Sequence, residues 1–136
     1  MIRGEVFIFN MIFHGVDIVE IKRIEEALHR WGDRFIKRIY REREGGRVEE
    51  LAVRFAAKEA VIKALGRKVP FRDIEILNDR RGKPFIKLHG RAQKLASELK
   101  IKRWEVSLSH SREMAIASVI GVGDEAHNIL EDEGSG

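Results

Sequence analysis

The first regular pattern in the chain is an apolar segment that favours a β-strand. Phe7 to Val19 is rich in β-branched and aromatic residues, with polar residues only at intervals, as is typical of strands. From Ile21 the apolar positions recur every three or four residues, with charged residues off that face. This period predicts an amphipathic helix that ends at Gly32. A second, shorter helix is predicted over residues 35–39.

The longest predicted helix lies in the middle of the chain. It covers Val48 to Leu65, which is rich in alanine and glutamate, and it follows a charged connector from Arg41 to Arg47. Gly66 comes directly after it and Pro70 lies beyond, which is typical of a helix end.

Hairpins dominate the rest of the chain. Polar turns separate two pairs of apolar runs, and a helical period lies between the pairs. The predicted strands and helix are Asp73 to Asn78, Pro84 to His89, Arg91 to Lys100 (the helix), Trp104 to Ser109 and Met114 to Ile120. Helices early and hairpins late predict an α+β fold with a largely antiparallel sheet, packed against one long and several short helices.

Length and composition fit one soluble domain with a single core. The chain has 136 residues, of which 43% are hydrophobic and 35% charged, which is too apolar for a disordered chain. Cysteine is absent, which excludes disulfides, thiolate zinc sites and a cysteine nucleophile, and agrees with a cytoplasmic location. The longest early apolar run, Val6 to Phe13, is too short to span a bilayer.

Charge is distributed unevenly along the chain. Lysine and arginine total 26 against 22 acidic residues, but five of the acids and no base lie in residues 122–136, so residues 1–121 carry a formal charge of +9. A body of this charge is expected to attract an anionic partner such as a nucleic acid, a phosphate-bearing small molecule, a membrane surface or an acidic protein. We expect one domain over residues 1–121 and a disordered acidic tail after it. Met11 is an alternative start, which would make residues 1–10 a leader.

Asp17 is the first polar residue that packing alone does not explain. It lies inside the run Gly15 to Val19, where it shares one strand face with Val19. A carboxylate at this place is either a cap for the following helix or a ligand.

Glu59 is the second such residue. Ala52, Phe55, Glu59 and Ile62 form one stripe of the long helix, so a carboxylate lies on or beside its buried face and needs a partner. Lys63, four residues on, is in the favourable order for a helical surface pair, which is the alternative to a functional role. Alanines at 56, 57 and 60 would let another backbone or a ligand approach closely.

Ser109 and His110 lie in a predicted hairpin, between Ser107 and Ser111. An exposed turn is one interpretation, and a Ser–His catalytic pair is disfavoured because adjacent strand residues point to opposite faces. The other histidines have no metal-ligand spacing, and no glycine-rich phosphate loop is present.

Taken in order, four segments resemble the phosphopantetheinyl transferase superfamily, most closely its small bacterial branch, the holo-acyl-carrier-protein synthases. They are Gly15 to Ile24, Arg54 to Ala60 with Lys63 to Gly66, Gly82 to Pro84, and Ser107 to Ser111. The resemblance covers about residues 11 to 121 and implies the fold of that superfamily. It implies transfer of 4′-phosphopantetheine from coenzyme A to a serine of apo acyl carrier protein, which releases adenosine 3′,5′-bisphosphate and supports fatty acid biosynthesis.

The same resemblance implies roles for the unusual residues. Asp17 and Glu59 would hold Mg²⁺, which prefers hard oxygen ligands and substrate phosphates. Lys63 would face the phosphates, and Glu59, directly or through a bound water, is the first choice of general base. The remaining coenzyme A contacts would be Gly82, Lys83 and Pro84 at the nucleotide end and Ser109 and His110 beside the phosphates.

The resemblance also implies partners. Arg23 would contact the acidic carrier protein. Charge alone, without a matching motif, extends the basic face to Arg30, Arg34, Lys37 and Arg38. Members of the branch are homotrimers with interfacial active sites, so we expect Asp17 of one chain to meet the Glu59 helix of its neighbour. The connector is shorter than usual in the family, and its basic residues Arg41, Arg43 and Arg47 are candidates for coenzyme contacts.

Two rival interpretations compete with the transferase. A nucleic-acid-binding module would fit the basic patches, but the basic residues are interleaved with acids and no recognition motif is present. A regulatory subunit that keeps the fold without the chemistry is disfavoured because Asp17, Glu59 and Lys63 are all present.

Overall fold

Two antiparallel sheets and four α-helices make up the described part of the chain. The structure is a computed structural model that describes residues 11–123. The strands are β1 (Ile12–Glu20), β2 (Ile74–Asn78), β3 (Pro84–Leu88), β4 (Ile101–His110) and β5 (Met114–Gly123), and the helices are α1 (Ile21–Trp31), α2 (Asp33–Ile39), α3 (Val48–Leu65) and α4 (Gly90–Glu98). One sheet has the order β1-β5-β4 and the other pairs β2 with β3. The predicted α+β class is confirmed.

The predicted elements are present, with differences at their ends. The bounds of α3 and the start of α1 are as predicted, whereas β4 begins three residues earlier and β5 continues to Gly123. Lys100 has a φ of 61°, and this left-handed turn ends α4 and lets β4 begin at once. The part of the first predicted strand before Met11, the leader and the acidic tail from residue 124 lie outside the described residues.

Helix α3 lies at the centre of the molecule and is buried on most sides. It packs on β1 and β5 of the three-stranded sheet and on β2 of the other. Its start is fixed by the Glu50 carboxylate, which accepts a hydrogen bond from the Arg47 N–H at 3.1 Å. Its end is a left-handed Gly66 at φ 76°. The predicted stripe around Glu59 lies beside the most buried face, so Glu59 is half-buried rather than enclosed.

Strand β1 crosses α3 at Gly15 without any side chain between the two backbones. A Cβ atom at Gly15 would lie 1.9 Å from the Ala60 carbonyl oxygen, so only glycine fits. The neighbouring strand β5 places two further small residues, Ala115 and Ala117, in the same core, both fully buried. The expected close approach at the alanine-rich part of the helix is therefore confirmed, and the backbone of β1 is the group that approaches it.

The free edge of β2 is closed by side chains rather than by a strand. The Lys58 ammonium donates to the Ile74 carbonyl, the Glu44 carboxylate accepts from the Ile76 N–H at 3.0 Å, and Arg54 Nε donates to the Ile76 carbonyl at 3.1 Å. Each group satisfies a backbone atom that an edge strand would otherwise leave open.

The outer face of the three-stranded sheet is apolar and exposed. Alternation along the strands places five large apolar side chains on it: Ile12, Val16, Ile18, Ile116 and Ile120, which are 38–64% exposed. Ile18 lies directly opposite Ile116 in the ladder, and His14 and Ser118 lie on the same face between the apolar residues. Patches of this kind commonly mark interaction surfaces. Within the described residues, no helix is long and apolar enough to cross a membrane.

Gly15→Ala tests the crossing of β1 and α3. We expect the free energy of unfolding to fall by about 3 kcal/mol, because the added methyl group meets a backbone carbonyl that has no room to move. Gly45→Ala is the control, since nothing lies within 4 Å of a Cβ there, and it should change stability by less than about 0.5 kcal/mol. Chemical denaturation measures both, and equal stability of the two variants would contradict the described contact.

Candidate active site

Asp17 and Lys63 form the first direct contact of the site. Asp17 lies two residues beyond the Gly15 crossing, on the face of β1 that packs against α3. The Lys63 ammonium donates to Asp17 Oδ1 at 2.9 Å and to the Val16 carbonyl at 3.0 Å. Asp17 therefore does not cap α1, and Lys63 pairs across the elements with Asp17 instead of forming a helical surface pair with Glu59.

Glu59 shares a cavity with Asp17 in the same chain. The cavity has a volume of about 380 Å³, and its charged lining consists of Asp17, Arg23 and Glu59. Its apolar lining includes Trp31, Phe35 and Phe55. The expectation that Asp17 meets the Glu59 helix only across a subunit interface is wrong. The Gly15 crossing brings β1 onto its own α3, which places both carboxylates in one protomer.

The charges around Glu59 act on its proton affinity in opposite directions. Burial is the main factor that raises the pKa of Glu59, and the nearby Asp17 carboxylate adds to it. The ammonium groups of Lys63 and Lys68 lower the pKa, but by less. The result is a carboxyl group with a pKa above its usual value, in a cavity where an added cation would favour its charged form.

Two carboxylates in one cavity fit a hard divalent cation. Within residues 11–123 no cluster of three or more metal-ligating side chains is present, so the protein offers too few ligands for a closed metal cage. Mg²⁺ is commonly held by one or two carboxylates together with substrate phosphates and water. Asp17 and Glu59 match that requirement, and the mutual repulsion of their charges is a reason for a cation to bind there.

The predicted nucleotide-end turn is well ordered by its own hydrogen bonds. Asp79 Oδ1 accepts from the Arg81 and Lys83 N–H groups at 2.8 and 2.9 Å, and Gly82 has a φ of 85°. The turn borders a second cavity of about 400 Å³, lined by Asn78, Gly82, Lys83, Pro84 and residues 106–108. Gly82, Lys83 and Pro84 are thus together, as the motif requires.

Ser109 and His110 end β4 at the far side of the three-stranded sheet. Ser109 lies opposite Ile116 and His110 opposite Ala115; alternation then directs the two side chains to opposite sheet faces. Both residues are exposed, and His110 Nδ1 lies 3.2 Å from the Ser111 carbonyl. Because β5 separates β4 from β1, the two outer strands lie about 10 Å apart.

The predicted site residues therefore form two groups. Asp17, Arg23, Glu59 and Lys63 lie together at the β1 side, and the 82–84 turn with the end of β4 lies at the other side. We define these as the carboxylate half-site and the turn half-site. Within residues 11–123, the cavities at the two half-sites have no lining residue in common.

Sequence reasoning missed three charged residues at the free edge of β2. Lys58 and Glu44 have completely buried side chains and form an ion pair at 2.9 Å, and Arg54 is held on β2 by its bond to Ile76. Burial lowers the pKa of Lys58, and the charge of Glu44 opposes this effect. The only signal in the sequence was the alanine-rich surroundings of Lys58, which indicated close packing but no partner.

Comparison with known proteins agrees with this geometry. A model of the 4′-phosphopantetheinyl transferase superfamily matches residues 14–117. The chain is 48% identical over 127 residues to a holo-[acyl-carrier-protein] synthase of Herpetosiphon aurantiacus, which covers 83% of this chain and 100% of the relative. It is 43% identical over 117 residues to the enzyme of the same name from Halothermothrix orenii, with 79% and 94% covered.

Solved structures show the same fold. A holo-ACP-synthase from Plasmodium yoelii superimposes with a TM-score of 0.75 at 33% identity, covering 85% of this chain and 98% of that one. The Helicobacter pylori holo-[acyl-carrier-protein] synthase in complex with coenzyme A gives a TM-score of 0.72 at 32% identity, with 82% and 99% covered.

The charge balance in the carboxylate half-site predicts two pKa changes of opposite sign. In metal-free protein, Asp17→Asn should lower the pKa of Glu59 because it removes a like charge, and Lys63→Met should raise it because it removes a cation. Carboxyl ¹³C NMR titration measures both. Lys94→Met, an exposed lysine of α4, is the control and should leave the Glu59 titration unchanged. Shifts of the same sign in the first two variants would contradict the arrangement.

Proposed function

The chain belongs to the 4′-phosphopantetheinyl transferase superfamily, and we propose from this premise that it is a Mg²⁺-dependent holo-acyl-carrier-protein synthase. The reaction would transfer 4′-phosphopantetheine from coenzyme A to a serine hydroxyl of apo acyl carrier protein, with adenosine 3′,5′-bisphosphate as the second product. The observation that carries the proposal is that Asp17 and Glu59 line one cavity while Lys63 is bonded to Asp17. A protein that supplies the modified carrier would support fatty acid biosynthesis.

The residues of the carboxylate half-site divide the work of phosphoryl transfer. Lys63, half exposed at 53%, can turn from Asp17 to the phosphates and offset charge on the leaving group. Glu59 accepts the serine proton, directly or through a water. Asp17 and Glu59 together would hold Mg²⁺, which supplies charge neutralisation at the pyrophosphate.

A mass assay tests the proposed reaction. We expect an apo acyl carrier protein to gain the mass of one phosphopantetheine arm when it is incubated with the protein, coenzyme A and Mg²⁺, and we expect a chelator to prevent the gain. Asp17→Ala and Glu59→Ala should each lower turnover about 100-fold or more, because each removes a group that acts on charge in the transition state.

Glu98→Ala, at an exposed glutamate of α4, is the matched control and should keep normal turnover. Circular dichroism verifies that all variants are folded. Absence of modification of every carrier protein tested contradicts the enzyme assignment, and normal turnover of either carboxylate variant contradicts the metal assignment.

We further propose that the carrier protein docks along the basic side of α1 and α2. Arg23 lies at the cavity of the carboxylate half-site. A neighbouring cavity of about 450 Å³ continues along Trp31, Phe35 and Phe55 and adds Arg34 and Arg38. An apolar floor with a basic rim fits an acidic helical protein, since opposite charges steer the encounter and apolar contacts hold it.

Arg23→Ala tests this docking surface. We expect the KM for the carrier protein to rise about 10-fold with a weaker dependence on salt, while the KM for coenzyme A stays constant. Lys22→Ala, one residue earlier and also exposed, is the control that removes a charge outside the cavity. A rise in the KM for coenzyme A alone would contradict the proposal, because α1 would then contact coenzyme A and not the carrier protein.

We propose a homotrimer in which each working site combines the carboxylate half-site of one protomer with the turn half-site of its neighbour. Two features support this proposal. The half-sites lie at opposite edges of the three-stranded sheet, one at β1 and the other at β4. The outer face of that sheet is apolar and exposed. We propose a cytoplasmic location, because a chain without cysteine suits a reducing compartment.

Ile116→Arg tests the proposed assembly. A charge in the middle of the apolar sheet face should prevent association, so sedimentation should give a monomer of 15.7 kDa and turnover should be lost. Gln93→Arg adds the same charge on α4 and should leave both the assembly and the activity unchanged. A monomeric Ile116→Arg variant with full turnover would contradict the interfacial site.

A further inference from the structure

A cationic surface lies beside α4, apart from both half-sites. Four exposed basic residues and one glutamate line a cavity of about 310 Å³, together with two half-buried apolar residues. We define this set as the α4 cationic surface: Arg67, Lys68, Arg91, Lys94 and Glu98, with Val69 and Leu95. Its cavity shares no lining residue with the cavities of the two half-sites, so the proposed reaction does not account for it.

The basic side chains of this surface are not neutralised by the part of the chain that the structure describes. Within residues 11–123, the four of them form no hydrogen bond and no ion pair. The Asp73 carboxylate is bonded to the start of α4, where it accepts from the backbone N–H groups of Arg91 and Ala92 at 2.8 and 3.4 Å. Four cations against a single acid in the lining are expected to attract an anionic partner.

The end of β5 lies next to the end of α4. Gly123 is the last residue of β5, and a Cβ atom there would lie 3.0 Å from the Lys100 carbonyl oxygen. Lys100 comes two residues after Glu98, at which α4 ends. From Glu98 back to Arg91 the helix is only about 11 Å long. The chain that follows Gly123 therefore starts close to the α4 cationic surface.

Helix α3 ends on the same side of the molecule. Strand β1 crosses α3 with Gly15 at Ala60, and Val19, further along β1, shares a cavity with Phe55, which comes earlier in α3. The two elements therefore run in opposite directions, and α3 ends near the start of β1, where β5 also ends. The two basic residues that follow α3 in the sequence belong to the α4 cationic surface.

The basic residue at the carboxylate half-site lies at the opposite end of β1. Arg23 is in the first turn of α1, which begins after Glu20. The ladder pairs Ile12 with the last part of β5 and Glu20 with its first residue, and the two ends of β1 are about 26 Å apart. A segment that starts at Gly123 is thus nearer to the α4 cationic surface than to Arg23.

The sequence beyond Gly123 matches this surface in charge and in apolar content. Residues 124–136 contain five acids and no lysine or arginine, and Ile129 and Leu130 come directly before the last three acids. These thirteen residues can span up to about 43 Å, which is ample for this surface. Exposed ion pairs are individually weak, but a tethered segment is present at an effective concentration in the millimolar range.

We propose that residues 124–136 dock on the α4 cationic surface of the same chain. Their acids pair with its four basic side chains, and Ile129 and Leu130 contact its apolar residues. The chain thereby covers this surface against other polyanions such as nucleic acid. The contact is electrostatic and sensitive to salt, and it does not depend on the proposed transferase activity.

A spin label in the acidic segment tests the docking. Because the chain has no cysteine, Ser135→Cys provides a single thiol for a nitroxide label close to the last three acids. At low salt the label should broaden the amide NMR signals of residues 67–69 and 91–98. About 1 M salt, at which the Debye length is about 3 Å, should restore these signals.

Two double variants separate local docking from attraction to the net charge. Arg91→Gln/Lys94→Gln should remove most of the broadening. Lys22→Gln/Lys37→Gln takes the same charge from exposed lysines of α1 and α2 and should leave the broadening unchanged. Absence of broadening at low salt, or an equal loss in both variants, overturns the proposal. Broadening of an isotope-labelled chain by a second, spin-labelled chain overturns docking on the same chain.

Binding of a short fluorescent single-stranded DNA tests the covering of the surface. Removal of residues 124–136 should raise the affinity about 10-fold at low salt, because the basic side chains become available to phosphates. The gain should be absent in the Arg91→Gln/Lys94→Gln background and complete in the Lys22→Gln/Lys37→Gln background. An equal gain in both backgrounds, or no gain in the original sequence, would show that the segment does not cover this surface.

Discussion

The contact on which the rest of the structure depends is the direct crossing of two backbones, β1 and α3, at Gly15 and Ala60. A Cβ atom at Gly15 would lie only 1.9 Å from the Ala60 carbonyl oxygen. No residue larger than glycine therefore permits the two backbones to lie this close. The crossing decides where Asp17 lies, because the residue two positions on must face the next turn of the helix. Asp17, Lys63 and Glu59 then meet without any loop between them. Two regular elements hold the group, so its geometry depends on packing rather than on the order of a flexible segment.

Most of the fold could be predicted from periodicity, because its helices and strands obey the patterns that burial on one face imposes. The ends of β4 and α4 could not, since they depend on a left-handed Lys100 that no pattern indicates. For the proposed site, the motif residues indicated the candidate side chains, but not their pairing. Lys63 four residues after Glu59 suggested a helical pair, and only the position of β1 shows that Asp17 is its partner. Glu44 was indistinguishable from its charged neighbours in the connector, since burial of a loop carboxylate follows from tertiary contacts alone.

Two lysines of α3 each pair with a carboxylate of another segment: Lys63 with Asp17 and Lys58 with Glu44. The two pairs show how burial gives the same chemical groups different roles. Their Nζ–Oδ1 and Nζ–Oε1 distances are both 2.9 Å, yet the Lys63 side chain is 53% exposed in one and the Lys58 side chain is fully enclosed in the other. The exposed pair is weakly held, because solvent screens it and competes for both partners. Its members can be exchanged for substrate groups. The enclosed pair has no such alternative partner, and it can serve only to keep the surrounding backbone in place.

The closure of the β2 edge also bears on how copies of this chain meet. An open strand edge can pair with the open edge of any other chain. Such pairing depends little on sequence and can lead to aggregation. Here the carbonyls of Ile74 and Ile76 and the N–H of Ile76 are already taken by side chains. Along this edge, a stray strand would have to displace three charged groups before it could form its first ladder bond. The closed edge thus leaves the sheet face, where side-chain identity decides which partners fit, as the surface for the proposed self-association.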